Sequence, residues 1–234
     1  MNLLQITPVM HDSLHQTEQI LTDMVQPETM NALDLAFKGG WIMIVLAVLL
    51  ILSIYVLIER TLVINKAAKE DASFMNRIKD YILDGKIDTA LNLCRSTDTP
   101  TARMVEKGIT RLGRPTSDVM STIENQGNIE VSKLEKGMPV LATTASGAPM
   151  IGFLGTVTGM VKAFMSMAGA GANVDVTILS TGIYEALVTT VGGLVVGIIA
   201  LFAYNYLTTR IRGIVNTLEM RVMEFMDILN EPAA

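Results

Sequence analysis

The sequence has 234 residues, half of them hydrophobic, and its 18 basic and 23 acidic side chains give a net charge of −5 at neutral pH. The apolar residues are gathered into long blocks, whereas a soluble domain disperses them at helix or strand periods, so an ordinary soluble domain is excluded. The charges are spread along the chain and do not by themselves bear on nucleic-acid binding; we expect no nucleic-acid partner. The single cysteine, Cys94, excludes an internal disulfide.

The first 40 residues precede the first apolar block and are predicted to form a periplasmic segment. Their start is acidic rather than basic, so we expect no cleaved signal peptide. The end of the segment has apolar side chains three and four residues apart before Gly39-Gly40, namely Met30, Leu33 and Phe37. This spacing predicts an amphipathic helix on the outer membrane surface.

Three apolar blocks follow. Residues 41–58 and 137–161 contain no charge, and residues 176–209 contain only Glu185. About 20 apolar residues in a helix cross the roughly 30 Å of hydrocarbon in a bilayer. We therefore predict an all-α membrane protein with transmembrane helices over 41–58, 137–167 and 178–207.

Basic residues indicate how these spans are oriented. Residues 60–140 hold 13 of the 18 lysines and arginines, whereas only Lys38 precedes the first span and none lies in 168–177. The positive-inside rule therefore predicts a cytoplasmic region over 59–136 and a cytoplasmic C-terminal helix over 208–234. The N-terminus and the 168–177 loop are predicted to be periplasmic.

The cytoplasmic region 59–136 has helical periodicity throughout and predicts a large helical bundle. Asp84-Gly85 is typical of a turn, and Pro100 and Gly113 are typical start and stop residues of a helix. Ser117 is the predicted cap of the last helix, which we expect to continue into the second span. Cys94 is predicted to pack in the core and to be unreactive.

Small residues distinguish the second and third spans from the first, which is almost entirely Leu, Ile and Val. Small side chains let helices approach closely in a membrane, so we expect these two spans to face protein or a lumen and the first to face lipid. Packing alone would also explain the pattern. The residues concerned are Pro149, Gly152, Gly155 and Gly159 in the second span, and Gly182, Ala186 and Gly193 in the third.

Two threonines are predicted to lie at one depth. Thr156 is twenty residues from the charged flank at Lys136, and Thr190 is twenty from that at Arg210. Each is therefore about 30 Å along its helix from the inner flank, with Glu185 about 7 Å further out. The alternative is that each hydroxyl bonds only to its own helix.

Glu185 has a functional and a structural interpretation. An ionised carboxylate within a membrane is costly and is functional by default. A structural alternative pairs Glu185 with Lys162, which lies at a similar depth on the second span. We favour a Lys162 side chain that extends to the interface instead.

Three stretches of the sequence carry a family likeness. "LATTASGAPMIGFLGTVTGMVKAF" and "GIYEALVTTVGGLVVGIIALFAYNYL" resemble the ExbB branch of the MotA/TolQ/ExbB proton-channel family, as does "FKGGWIMIVLAVLLILSIYVLIERTLVINK". The likeness covers roughly residues 33–210. The family motif pairs Pro149 and Gly155-Thr156-Val157 with Glu185 and a threonine five residues later.

The resemblance implies a subunit of a bacterial inner-membrane motor driven by the proton motive force. Several copies, five in ExbB-like members, would surround single-span ExbD-like partner helices that supply a membrane aspartate, and a TonB-like periplasm-spanning protein would receive the work. Thr156 and Thr190 match the pore-lining threonines and Glu185 the intramembrane glutamate. Because Thr189 adjoins Thr190, the pore-facing residue is ambiguous by one position; the motif favours Thr190.

Alternatives remain open within and beyond this family. A TolQ-like role in envelope integrity is not separable from the ExbB role by sequence, and a stand-alone channel or transporter is a further hypothesis. An enzyme is disfavoured because the spans lack a second catalytic carboxylate or a histidine. We predict no cofactor, and no metal site, because His11 and His15 have no further Cys or His nearby.

Overall fold

The architecture of the chain was analysed in a computed structural model, which describes residues 40–69, 71, 73–169 and 176–230. The described part is helical, with no strand, and contains seven helices: α1 Gly40–Ala67, α2 Phe74–Leu83, α3 Ile87–Ser96, α4 Pro100–Ile109, α5 Thr116–Glu135, α6 Met138–Gly169 and α7 Val176–Asn230. The predicted N-terminal amphipathic helix, His11 and His15 lie outside the described residues, as do positions 170–175 of the predicted loop.

Three helices are long and apolar enough to cross a membrane: α1, α6 and the first part of α7. The prediction of an all-α membrane protein with three spans is therefore confirmed. Exposed apolar side chains recur every three or four residues along α1, as lipid contact requires. They include Trp41, Ile44, Val48, Ile51, Tyr55, Ile58 and Leu62.

α7 joins the membrane region to the helical bundle. Its 55 residues extend for about 80 Å. The second half of α7 carries the bundle core, where Leu207 and Phe225 are fully buried against side chains of α1, α2, α4 and α5. The same rigid helix therefore carries both Glu185 and the core of the bundle.

The predicted turns and caps are met in part. Gly85 has a φ of +71° and Gly113 a φ of +84°, as expected for turn residues. α4 begins at Pro100, with Thr99 as its cap. The predicted cap at Ser117 is wrong, because α5 begins one residue earlier, at Thr116, after Pro115.

The junction between α5 and α6 also differs from the prediction of one continuous helix. Gly137 has a φ of +87°, a conformation that suits glycine and ends α5, and α6 starts at the next residue. Arg60 is buried in α1 and donates a hydrogen bond of 3.0 Å to the carbonyl of Lys133, in the last turn of α5. The first span thus stabilises the helix end at which the bundle meets the membrane region.

Candidate functional site

Thr156 and Thr190 meet where α6 packs against α7. Their hydroxyl oxygens are hydrogen-bonded to each other, and both side chains are half-buried. The structure therefore brings together the two threonines that were predicted to lie at one depth. Neither is confined to bonding within its own helix, because Thr190 also donates across the interface to α6.

The carbonyl of Gly152 is the common acceptor of this cluster. It accepts hydrogen bonds from the hydroxyls of Thr190 at 3.2 Å, Thr189 at 3.3 Å and Thr156 at 3.4 Å. A hydroxyl both donates and accepts, so the Thr156–Thr190 pair and this carbonyl satisfy one another without water. The arrangement is a polar cluster within an apolar helix pair.

The hydroxyls can meet because the backbones of α6 and α7 nearly touch. A Cβ atom at Gly152 would lie 2.8 Å from the carbonyl oxygen of Thr189, and one at Gly193 would lie 2.6 Å from that of Ala148. Real Cβ atoms do not approach backbone atoms this closely, so each position requires glycine.

The same contact continues toward the end of the pair at which α6 ends and α7 begins. A Cβ at Gly159 would lie 3.0 Å from the Cβ of Ala186, and one at Gly182 would lie 2.6 Å from the Cβ of Ala163. The small residues predicted from sequence thus line one helix–helix interface. The faces of α6 and α7 that point away from this interface carry exposed apolar side chains, including Met150, Phe153, Val157, Leu187, Val191 and Leu194.

Pro149 lies inside α6 and faces Gly197 of α7. A Cβ at Gly197 would come within 2.7 Å of the Pro149 ring and 3.1 Å of the carbonyl oxygen of Ala145. Proline has no amide hydrogen to donate to that carbonyl, so the backbone of α6 has an incomplete hydrogen bond at this point. Gly197 continues the small-residue pattern of the third span, four residues after Gly193.

Thr189 was considered from sequence only as the alternative to Thr190 for the pore-facing position. Its side chain is 2% exposed and donates to the carbonyls of Ala186 at 2.7 Å and Gly152 at 3.3 Å. The sequence does contain the signal. Thr189 continues the spacing of Gly182, Ala186 and Gly193, whereas Thr190 lies about 100° further around α7.

Glu185 does not join the hydroxyl cluster. It is five residues from Thr190, and therefore about 140° away around α7. Its Oε1 atom lies beside the first residue of α1, only 2.7 Å from the position that a Cβ would occupy at Gly40. The carboxylate thus faces the first span instead of lying directly above the two hydroxyls.

The alternative pairing of Glu185 with Lys162 is not observed. Lys162 is exposed, and within the described ranges of the chain no salt bridge connects it to Glu185. In this structure, the first residue of α1 lies beside the carboxylate.

The bundle contains a buried carboxylate of a different kind. Glu130 is 2% exposed and accepts hydrogen bonds from Arg103 at 2.7 Å, Lys133 at 2.8 Å and Gln126 at 2.9 Å. Burial raises the pKa of Glu130, but the hydrogen bonds and charges of Arg103 and Lys133 together lower it by a larger amount. The pKa of Glu130 therefore lies below its usual value. This cluster joins α4 to α5 and is structural.

Among the described residues, the Cys94 thiol is unreactive and no metal site is formed. Burial raises the pKa of the Cys94 thiol to about 12, which leaves it protonated at neutral pH. No group of three or more His, Cys, Asp or Glu side chains with metal-ligand geometry occurs among the described residues. The Thr156–Thr190 cluster and Glu185 are therefore the candidate functional groups of the spans.

Comparison with known proteins gives a consistent result. A family model described as "MotA/TolQ/ExbB proton channel family" matches residues 96–220. The chain is 31% identical over 219 residues to the Tol-Pal system protein TolQ of Haemophilus influenzae, an alignment that covers 87% of this chain and 96% of that protein.

Proteins named ExbB are also similar. A putative biopolymer transport protein ExbB homolog of Methanothermobacter thermautotrophicus is 27% identical over 191 residues, covering 81% of this chain and 67% of the relative. Biopolymer transport protein ExbB of Xanthomonas campestris is 42% identical over 78 residues, which is 33% of this chain and 30% of that protein.

Proposed function

The chain belongs to the MotA/TolQ/ExbB proton channel family, and on that premise we propose that it is the ring-forming subunit of a proton-driven motor in a bacterial inner membrane. It is a multi-pass membrane protein of a proton-channel class and not of an enzyme class. The observation that supports the proposal is the hydrogen-bonded pair of Thr156 and Thr190 hydroxyls, held between two spans whose exposed faces are largely apolar.

The chemistry of the pair suits a carboxyl group that alternates between two protonation states. Each hydroxyl donates to a carboxylate and accepts from a carboxylic acid. In the isolated chain the two hydroxyls satisfy each other and the Gly152 carbonyl. A carboxyl group from a partner helix would form its own hydrogen bonds with the two hydroxyls in place of these bonds. The surface formed by α6 and α7 therefore accepts the carboxyl group without leaving a hydroxyl unsatisfied.

The proton gradient supplies enough free energy for this cycle. Moving one elementary charge across 100 mV of membrane potential releases about 2.3 kcal/mol. A permanent ion pair at the hydroxyl level would hold the partner in one position, whereas neutral hydroxyls do not. Lys162 is exposed and forms no salt bridge with Glu185 among the described residues, which is compatible with neutral hydroxyls at this level.

A single chain cannot enclose a path, so the proposal requires several copies. The apolar faces of α6 and α7 are available to contact neighbouring copies, lipid and a central partner. We infer a ring, of five copies as in ExbB-like members, around ExbD-like single-span helices that contribute a membrane aspartate. Thr156 and Thr190 are then the proton-path residues.

Two physiological roles fit this assembly. In the ExbB-like role, the motor acts on a TonB-like protein and energises outer-membrane transport; the resemblance of the two pore-lining stretches supports this role. In the TolQ-like role, it maintains envelope integrity; the relative named TolQ, which aligns over 87% of the chain, favours this second candidate.

One substitution series tests the proton-path assignment. Thr156→Val removes a hydroxyl of the pair, while the complex should still assemble. Motor-dependent activity, measured in cells as iron-chelate uptake or as resistance to detergents, should fall to the level of the deletion strain. Thr158→Val is the matched control, because Thr158 is two residues away on α6 and its hydroxyl bonds to the carbonyl of Leu154 at 2.9 Å, within its own helix. Normal activity of Thr156→Val would contradict the proposal.

The two roles are distinguished in the same deletion strain. Loss of uptake of large iron chelates identifies the ExbB-like role, and sensitivity to detergents with intact uptake identifies the TolQ-like role. Native mass measurement of the purified complex counts the copies of this chain and identifies the partner. A monomer without a partner would refute the ring.

A further inference from the structure

The contact between Glu185 and the start of the first span carries an inference beyond the hydroxyl pair. We propose that Gly40 is a positioning residue for Glu185: the bare backbone at the start of α1 seats the carboxylate and couples the first span to the proton path. The contact itself does not depend on the proposed function; its role in the motor does.

Two features of Gly40 favour glycine there. Its φ is +66°, a conformation that side-chain-bearing residues adopt only with strain. A Cβ would also lie 2.7 Å from Oε1 of Glu185, closer than a carbon and an unbonded oxygen can approach. A side chain at position 40 would therefore displace the carboxylate from α1.

The orientation of α7 supports the same contact over two turns. Gly192 lies seven residues after Glu185 and so on the same face of α7. A Cβ at Gly192 would lie 3.1 Å from Sδ of Met43 and 3.6 Å from Leu46, both on α1. Glu185 is thus on the α1-facing side of α7, and its position beside Gly40 follows from how the two helices pack.

The start of α1 is a favourable place for a carboxylate. The first N–H groups of a helix have no partner within the helix and carry a partial positive charge. Oε1 of Glu185 lies beside this helix start, at Gly40. Among the described residues, Lys162 is exposed and forms no salt bridge with Glu185.

A double-variant cycle on the purified chain tests the contact independently of any motor activity. Gly40→Ala should lower the thermal unfolding midpoint by a few degrees. Adding Glu185→Asp shortens the carboxylate by one methylene, makes room for the new Cβ and should recover part of the loss. Gly85→Ala is the matched control, because Gly85 has a φ of +71° and a Cβ there would meet nothing within 4 Å.

The control separates the contact from backbone strain. In the Gly85→Ala background, Glu185→Asp should bring no recovery, and the two effects should add. Effects of Gly40→Ala and Glu185→Asp that also add would overturn the proposal, because they would show that the two positions do not interact.

A cross-link keeps the proposal testable if Gly40→Ala fails to fold. Gly40→Cys combined with Glu185→Cys removes the carboxylate that a Cβ would meet, and a short bifunctional thiol reagent should join the two positions within one chain. Cys94 is buried and does not compete. Gly40→Cys with Thr190→Cys, on another face of α7, should not cross-link; equal yields from both pairs would overturn the proposal.

The role in the motor is read from activity in cells. Gly40→Ala should lower motor-dependent activity about ten- to hundred-fold, the scale expected when a functional group is displaced by about 1 Å. Glu185→Asp should partly restore motor-dependent activity in the Gly40→Ala variant and should not raise it in the wild type. Coupling in the purified chain with unchanged cellular activity would leave the contact established and refute its part in the motor.

Discussion

The side chain of Thr189 on α7 lies against Gly155 on α6, in the space that a larger side chain at position 155 would need. A Cβ at Gly155 would overlap the Cβ of Thr189, at 2.7 Å, and lie 3.1 Å from its Cγ2. The buried hydroxyl of Thr189 then reaches the Gly152 carbonyl one turn away. The two helices are thus held together by a threonine that fits where a side chain is absent.

Gly155→Ala is expected to separate α6 from α7 at this point. Overpacking a tight interface costs about 1–3 kcal/mol, and the shift should also part Thr156 from Thr190. We expect a lower unfolding midpoint of the purified protein and reduced motor-dependent activity. Gly147→Ala, on the same helix, is the control, because a Cβ there would meet nothing within 4 Å.

A compensating change checks this explanation. Thr189→Ala removes Oγ1 and Cγ2, two of the three Thr189 atoms that the new Cβ would strike, and leaves the Cβ in place. The double variant Gly155→Ala/Thr189→Ala should therefore recover part of the stability that Gly155→Ala loses. If Thr189→Ala only adds to the damage, some contact other than Thr189 sets the requirement for glycine at position 155.

Thr189 and Thr190 are expected to differ in function. Thr189→Val replaces a buried hydroxyl with a methyl group of similar size, so we expect a stability loss of about 1 kcal/mol and nearly full activity. Thr190→Val should lower the stability by a similarly small amount and should abolish motor-dependent activity. The measurements are thermal unfolding and the cellular assay. The reverse pattern would assign the proton path to Thr189.

Glu130 is expected to make the stability of the bundle depend on pH. Its folded-state pKa is lowered, so it stabilises the fold at pH values above the unfolded value of about 4.3. This contribution is lost as the pH falls through the lower, folded-state pKa. The unfolding midpoint of the wild type, followed from pH 7 to pH 3, should therefore fall more steeply than that of Glu130→Gln.

A second glutamate on α5 provides the comparison for Glu130. Glu124 is exposed, and Glu124→Gln should retain the acid sensitivity of the wild type. If Glu130→Gln is as acid-sensitive as the wild type, the cluster of Glu130 with Arg103 and Lys133 does not set this dependence.

Cys94 is expected to be inert in the folded protein. A thiol with a pKa of about 12 has almost no thiolate at pH 7, and the side chain is 1% exposed. A maleimide should label it only after denaturation, as measured by mass. Ser96→Cys, exposed on the same helix, should be labelled at once. Rapid labelling of Cys94 in the native protein would contradict the burial of α3 in the core.

The break between α5 and α6 has a local signal in the sequence that predicts the end of a helix. Lys136-Gly137 is a common way to end a helix, because glycine adopts positive φ without strain. The prediction of one continuous helix gave more weight to the helical periodicity on either side. The three spans, in contrast, were predictable, because in lipid every backbone polar group must be bonded within its own helix.

The sequence by itself determined that α1, α6 and α7 cross a membrane, and that small residues bring α6 and α7 together. It also placed Thr156 and Thr190 at one depth, since rise per residue is the same in every helix. Only the tertiary structure decided that Glu185 faces Gly40 and that Thr189 fits beside Gly155. Those contacts depend on the rotation of each helix about its axis, which is set by packing between residues far apart in the chain.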